Sequence, residues 1–135
     1  MDLEPERTSR DYLYGRLLAV AECIEKRALD VAGEDRPTTA ARLMQRFADH
    51  PCSTWRTIEL ALQPYMQRLQ KTRGGFLHNM RVLLDEVVSS FRAGDFASER
   101  RLGGEFLLGY HRQRRVLKLA AKDKENGNKT QGAEE

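Results

Sequence analysis

Cysteine is scarce in this chain: Cys23 and Cys52 are the only two in 135 residues, and no CxxC or CxxH spacing surrounds them. Neither a disulfide framework nor a cysteine zinc site is suggested, and both read as ordinary reduced thiols. Long apolar runs are missing as well. Nothing approaches the roughly 20 consecutive apolar residues of a membrane-spanning helix, so no membrane is expected among the partners. The start, MDLEPERTSRD, has neither the basic nor the apolar region of a secretory signal, which makes the cytoplasm the expected location. The three histidines, His50, His78 and His111, are scattered and fit no HExxH or HxH spacing. GxSxG, P-loop and GxGxxG patterns are absent, and the pairs Gly74-Gly75 and Gly103-Gly104 do not meet those spacings. No metal, cofactor or catalytic residue is expected.

What the chain does have is charge and a helical period. Charged residues make up 32% and hydrophobic residues 40%, enough for one modest core. No stretch alternates with period two long enough to argue a strand. The expectation is an all-α fold: a single small bundle of about five helices over residues 1–121, followed by a disordered polar tail over 122–135. Thr8 or Ser9 caps a first helix that buries Leu13, Leu17, Val20, Ala21, Ile24, Ala28 and Val31 and ends at Gly33. A second runs from Thr38 or Thr39 to His50 and is stopped by Pro51; Ser53 caps a third, with Trp55, Ile58, Leu62, Tyr65, Met66 and Leu69 inward and a kink expected at Pro64. A fourth spans about Phe76 to Ala93, with Gly94 as its stop.

The fifth helix is expected from near Glu99 to about Ala121. At 100 degrees per residue, Leu102, Phe106, Tyr110, Gln113 and Leu117 share one side, which reads as core. Arg101, Leu108, Arg112, Arg115 and Leu119 share the other, with Lys118 at its margin: a basic stripe with apolar inserts. Gly103, Gly104 and Gly109 each cost about 1 kcal/mol inside a helix, so close approach of a neighbouring helix is expected to compensate. Arg114 projects near the core side and reads as the partner of a carboxylate.

Net charge is +3 and the isoelectric point about 9.0, which permits a polyanionic partner without requiring one. Distribution is more informative. Arg68, Lys71, Arg73 and Arg81 follow one another with no acid between, and none lies between Arg112 and Lys122, whereas the first helix mixes signs and reads as merely solvated. Arg73-Gly-Gly-Phe-Leu-His78 has the Arg-x4-His spacing that resembles the motif of the HEPN ribonucleases. That motif carries a polar residue after the arginine and sits inside a helix, while here two glycines follow and open one, so a solvated arginine and a surface histidine are expected.

Three pieces carry a further resemblance. RPTTAARLMQRF (Arg36 to Phe47) before a tryptophan-bearing helix, then GFLHNMRVLL, then GEFLLGYHRQRR are similar to the C-terminal helical region of the large subunit of type I-C CRISPR Cascade complexes. Gly104, Phe106, Leu108, Gly109, Tyr110, Gln113 and Arg114 match its closing pattern, and His111 stands where a second tyrosine is common. The similarity covers about Tyr12 to Arg115. So short a chain, starting at its own methionine, resembles the free small subunit of that family, produced from an internal start; an excised C-terminal domain would look the same.

The resemblance implies a non-catalytic helical subunit. Such subunits stack as copies along the crRNA-bearing backbone beside the large subunit and support the R-loop, with target DNA, its displaced single strand above all, as the contact. Base pairing reads sequence in such complexes, so the protein need hold only phosphates. The expected phosphate contacts are Arg68, Lys71, Arg73, Arg101, Arg112, Arg115 and Lys118. Leu18 and Leu29 on the first helix and Leu108 and Leu119 on the fifth are expected to face adjacent subunits. The alternative of another class is an adaptor that binds only protein, its arginines paired or solvated.

Overall fold

The computed structural model describes the backbone of residues 9–134 and the side chains of residues 9–120. The described residues form six helices: α1 (Arg10–Ala32), α2 (Thr39–Arg42), α3 (Met44–Asp49), α4 (Pro51–Thr72), α5 (Gly74–Ser89) and α6 (Glu105–Glu134). No strand occurs among the described residues. The all-α expectation holds; the tail expected to be disordered, 122–135, lies outside the residues described in full.

α1 is the axis of the bundle. α6, α4, α5 and α2 all pack on it, so it is buried around most of its circumference rather than along one stripe. Leu18 and Leu29, expected to face outward, are both 0% exposed and belong to the core. A single apolar stripe describes a helix at the edge of a core; a helix enclosed by four others buries its remaining faces too. Ser9 caps α1, its hydroxyl accepting from the Tyr12 N–H, and Gly33 closes it in the left-handed conformation at φ 72°.

Pairings along α1 fix the directions of its neighbours. Tyr12 meets Gly109, Arg16 meets Gln113 and Glu22 meets Arg114, so α6 runs parallel to α1. Two glycines permit that packing. A Cβ on Gly109 would stand 2.1 Å from the Tyr12 carbonyl oxygen, and one on Gly15 2.1 Å from the Phe106 carbonyl oxygen. The close approach expected at Gly109 is therefore present, whereas Gly103 and Gly104 precede α6 and cost it nothing.

Several boundaries move, each for a local reason. The expected second helix is two pieces, α2 and α3, separated at Leu43 (φ −101°, ψ 10°). α3 ends at Asp49, just before Pro51 as expected, but Pro51 also opens α4, because the first helical position needs no N–H. Ser53 is not a capping side chain: its own N–H donates to the Glu99 carboxylate at 3.1 and 3.2 Å. α5 stops at Ser89, short of Gly94.

The segment before α6 is not helical. Buried Arg10 holds it, donating to the Ser98 and Arg100 carbonyl oxygens while pairing with Asp11 at 2.8 Å; Asp11 in turn accepts from the Gly103 N–H at 2.8 Å. Tyr14 donates to the Phe96 carbonyl oxygen and packs among Phe47, Phe91 and Phe96 at centroid distances of 5.7, 5.0 and 5.8 Å. This aromatic cluster closes the end of the bundle where α1 begins.

Candidate functional site

The opposite end of α1 is where cations gather. A cleft of about 520 Å³ opens between the second half of α1, the turn Arg36-Pro37-Thr38 and α6 from Arg114 to Lys118. Five basic residues line it, Lys26, Arg27, Arg36, Arg114 and Lys118, against the acids Glu22 and Asp30, a formal balance of +3 (5 − 2). Both acids are engaged. Glu22 Oε1 accepts from the Tyr110 hydroxyl at 2.8 Å and lies 3.2 Å from Arg114 Nε, and Asp30 pairs with Lys26 at 3.3 Å. Arg114 is thus the carboxylate partner expected from its position on α6.

The three cleft arginines each lie over an aromatic ring. Arg27 lies 4.7 Å from the centroid of Phe76, Arg36 5.7 Å from that of Tyr65, and Arg114 5.3 Å from that of Tyr110. Arg68 approaches the same Tyr65 ring at 5.8 Å, and both Arg36 and Arg68 neighbour Glu34. The Tyr65 hydroxyl raises the Arg36 guanidinium further above its ordinary value. Burial, reinforced by the hydrogen bond to Glu22, pushes the Tyr110 hydroxyl up to about 12. Burial also raises the Cys23 thiol on the cleft wall, against the opposing pull of Arg27.

The residues expected to contact phosphate fall in different places. Lys118 lines this cleft, and Arg68 lies outside its lining, over the Tyr65 ring that also meets Arg36. Lys71 shares a shallower cleft with Arg81, Gln67 and Gln70 on α4 and α5. Arg73 is exposed between α4 and α5 and donates to the Thr72 carbonyl oxygen at 2.8 Å. Arg112 is half-buried and Arg115 exposed on α6. Arg101 is displaced from the α6 face expected for it: it precedes the helix, and its Nε bonds Asp49 Oδ1 at 2.8 Å, which lowers the Asp49 carboxyl.

Of the apolar contacts expected to face neighbours, Leu18 and Leu29 are core, Leu108 is half-buried, and Leu119 is 46% exposed. Leu107, just before Leu108, is 47% exposed and was not singled out by the stripe. His111 lies edge-on to the Tyr110 ring at 5.2 Å, and His78 is exposed on α5. Among the described residues no group of three or more His, Cys, Asp and Glu is placed to hold a metal ion, and no helix is long and apolar enough to cross a membrane.

Sequence reasoning missed Lys26, Arg27 and Arg36. On the first helix, bases alternate with Glu22, Glu25 and Asp30, and the run looks neutral. Tertiary pairing withdraws two of those acids, Glu25, which is 1% exposed and accepts from the Thr39 N–H at 2.8 Å, and Glu22, which is taken by α6, while Asp30 pairs with Lys26 on its own helix. Only the arginine-proline step at Arg36-Pro37 marked the turn as unusual.

Residues 1–118 match the family of the CRISPR-associated protein (Cas_Csd1). The chain belongs to that family. No curated protein gives a match to it.

Proposed function

We propose that this chain is a non-catalytic, small-subunit-type component of a type I-C Cascade complex, equivalent to the C-terminal helical region of the large subunit. In this reading it stacks along the crRNA-bearing backbone and steadies the R-loop by sequence-independent contacts to phosphate. What supports it is membership of a CRISPR-associated family over residues 1–118, joined to a bundle with cations gathered on the second half of α1, the turn after it and the middle of α6. Phosphate contacts need positive charge at a fixed position and no base-reading side chains, because the guide RNA reads sequence.

Arg112, Arg115 and Lys118 lie along two turns of one helix, a spacing suited to following a backbone. Arg68, Lys71 and Arg73 extend the charge across the end of α4. Few contacts per copy imply weak binding by one subunit and reliance on neighbours in the complex. Leu107 and Leu119 then serve contacts with those neighbours.

The salt dependence of single-stranded DNA binding tests this directly. Each phosphate neutralised contributes about −0.7 to the slope of log K against log salt. Replacing Arg112 and Arg115 by alanine should weaken binding and flatten the slope by about 1.4 together. Equal affinity and slope for wild type and variant would remove both arginines from the interface. Absence of DNA binding at low salt, with retained binding to the other subunits, would favour the protein-only adaptor.

A further inference from the structure

We propose that the cleft between α1, the Arg36–Thr38 turn and α6 accepts one unstacked nucleotide of a single strand, its base against the apolar wall and its phosphate among the cations. This rests on the phosphate-binding reading above and adds a base-occupied pocket to it.

The lining has two chemistries. Ala19, Cys23, Pro37 and Leu117 supply apolar wall, and five lysines and arginines supply charge. A free phosphate would leave the apolar wall wet. An uncharged apolar ligand would strip water from ammonium and guanidinium groups and return nothing. A nucleotide carries a flat, weakly hydrated face and an anion at adjacent positions, and about 520 Å³ falls within the roughly 300–1,000 Å³ of small-ligand sites.

The arginines favour a flat ligand over an acidic peptide. Arg27, Arg36 and Arg114 each lie over an aromatic ring, within 4.7 to 5.7 Å of its centroid. Such guanidinium planes are ordered before any ligand arrives, so less conformational entropy is lost on binding. Unstacked bases pack on guanidinium planes as they do on aromatic rings. Glu22, whose charge would repel phosphate, is screened by the Tyr110 hydroxyl and Arg114.

The cleft carries its own reporter, because Cys23 lies on its wall while Cys52, the other cysteine, is buried at 6% exposure in α4. The test uses the full chain and two readouts. The first compares its affinity for a single-stranded oligothymidylate with that for an abasic strand of equal length at one salt concentration; the abasic strand is expected to bind roughly fivefold or more weakly. Cys23→Phe, which fills the cleft, should abolish that difference while keeping the salt slope. The second readout needs no variant: thymidine monophosphate should slow alkylation of Cys23, and inorganic phosphate at equal concentration should not. Equal binding of the two strands, or protection by phosphate or by an acidic peptide as strong as by the nucleotide, overturns the pocket and leaves backbone binding standing. Failure of both strands to bind overturns both readings.

Discussion

Gly15 and Gly109 set how closely α1 and α6 approach, since at both positions the space of a Cβ is already occupied by a backbone carbonyl of the other helix. Gly109→Ala would force the axes apart along their whole contact, and overpacking of this kind costs about 1–3 kcal/mol. Chemical denaturation should show that loss; an unchanged midpoint would mean the two helices are not held at this distance. Tyr110 gives a second prediction, on the alkaline side. Its folded value is raised to about 12, above the ordinary 10, so between these the folded state keeps a proton that the unfolded chain releases. Its contribution to stability is complete below pH 10 and is lost as pH rises through about 12. Tyr14, raised in the same direction chiefly by burial, steepens the same limb. Tyr110→Phe should therefore make stability fall less steeply between pH 10 and 12, as read from urea midpoints; a slope equal to wild type would place Tyr110 in water.

At the scale of elements, α4 runs unbroken through Pro64, whose side chain is exposed and whose missing N–H leaves the Leu60 carbonyl without its helical donor. Pro64→Ala restores that donor. Allowing for the flexibility alanine adds to the unfolded chain, a gain of about 2 kcal/mol is expected in thermal or urea unfolding. A loss would show that the proline shapes the helix against α1. The amphipathic helices were legible in the sequence. On α4, Trp55, Ile58, Leu62, Met66 and Leu69, and on α6 Phe106, Tyr110 and Gln113, follow the 3.6-residue period and are buried as that period requires, whereas Tyr65, also expected inward, is half-buried beneath Arg36 and Arg68. The central helix was less so. In Tyr12 to Ala21, a run with only Gly15 and Arg16 as interruptions, the density of apolar residues was itself the sign of burial on several sides, and reading one stripe there misplaced Leu18. The cleft was the least legible part, because Arg36 and Glu22 acquire their roles only from helices distant in sequence, Tyr65 on α4 and Tyr110 and Arg114 on α6.

For the whole molecule, the fold is organised around one enclosed helix with two unlike ends. α1 is enclosed by four helices, an aromatic cluster closes one end, and the other end presents cations. Leu60, Val82, Leu107 and Leu119, between 46% and 73% exposed, remain on the outside, where a chain that works within an assembly would contact its neighbours. Leu119→Glu should then weaken association with the assembly without lowering the stability of the isolated chain, as read by co-elution and by urea unfolding; a loss of stability would place Leu119 in the fold instead. Most direct for the central claim is co-purification of the full chain, tagged and co-expressed with the remaining subunits of a type I-C Cascade and its crRNA. The chain is predicted to elute with the crRNA-bearing complex at a fixed ratio and to increase the yield of R-loop on target DNA. Elution apart from the complex, with R-loop yield the same in its absence, would contradict the account.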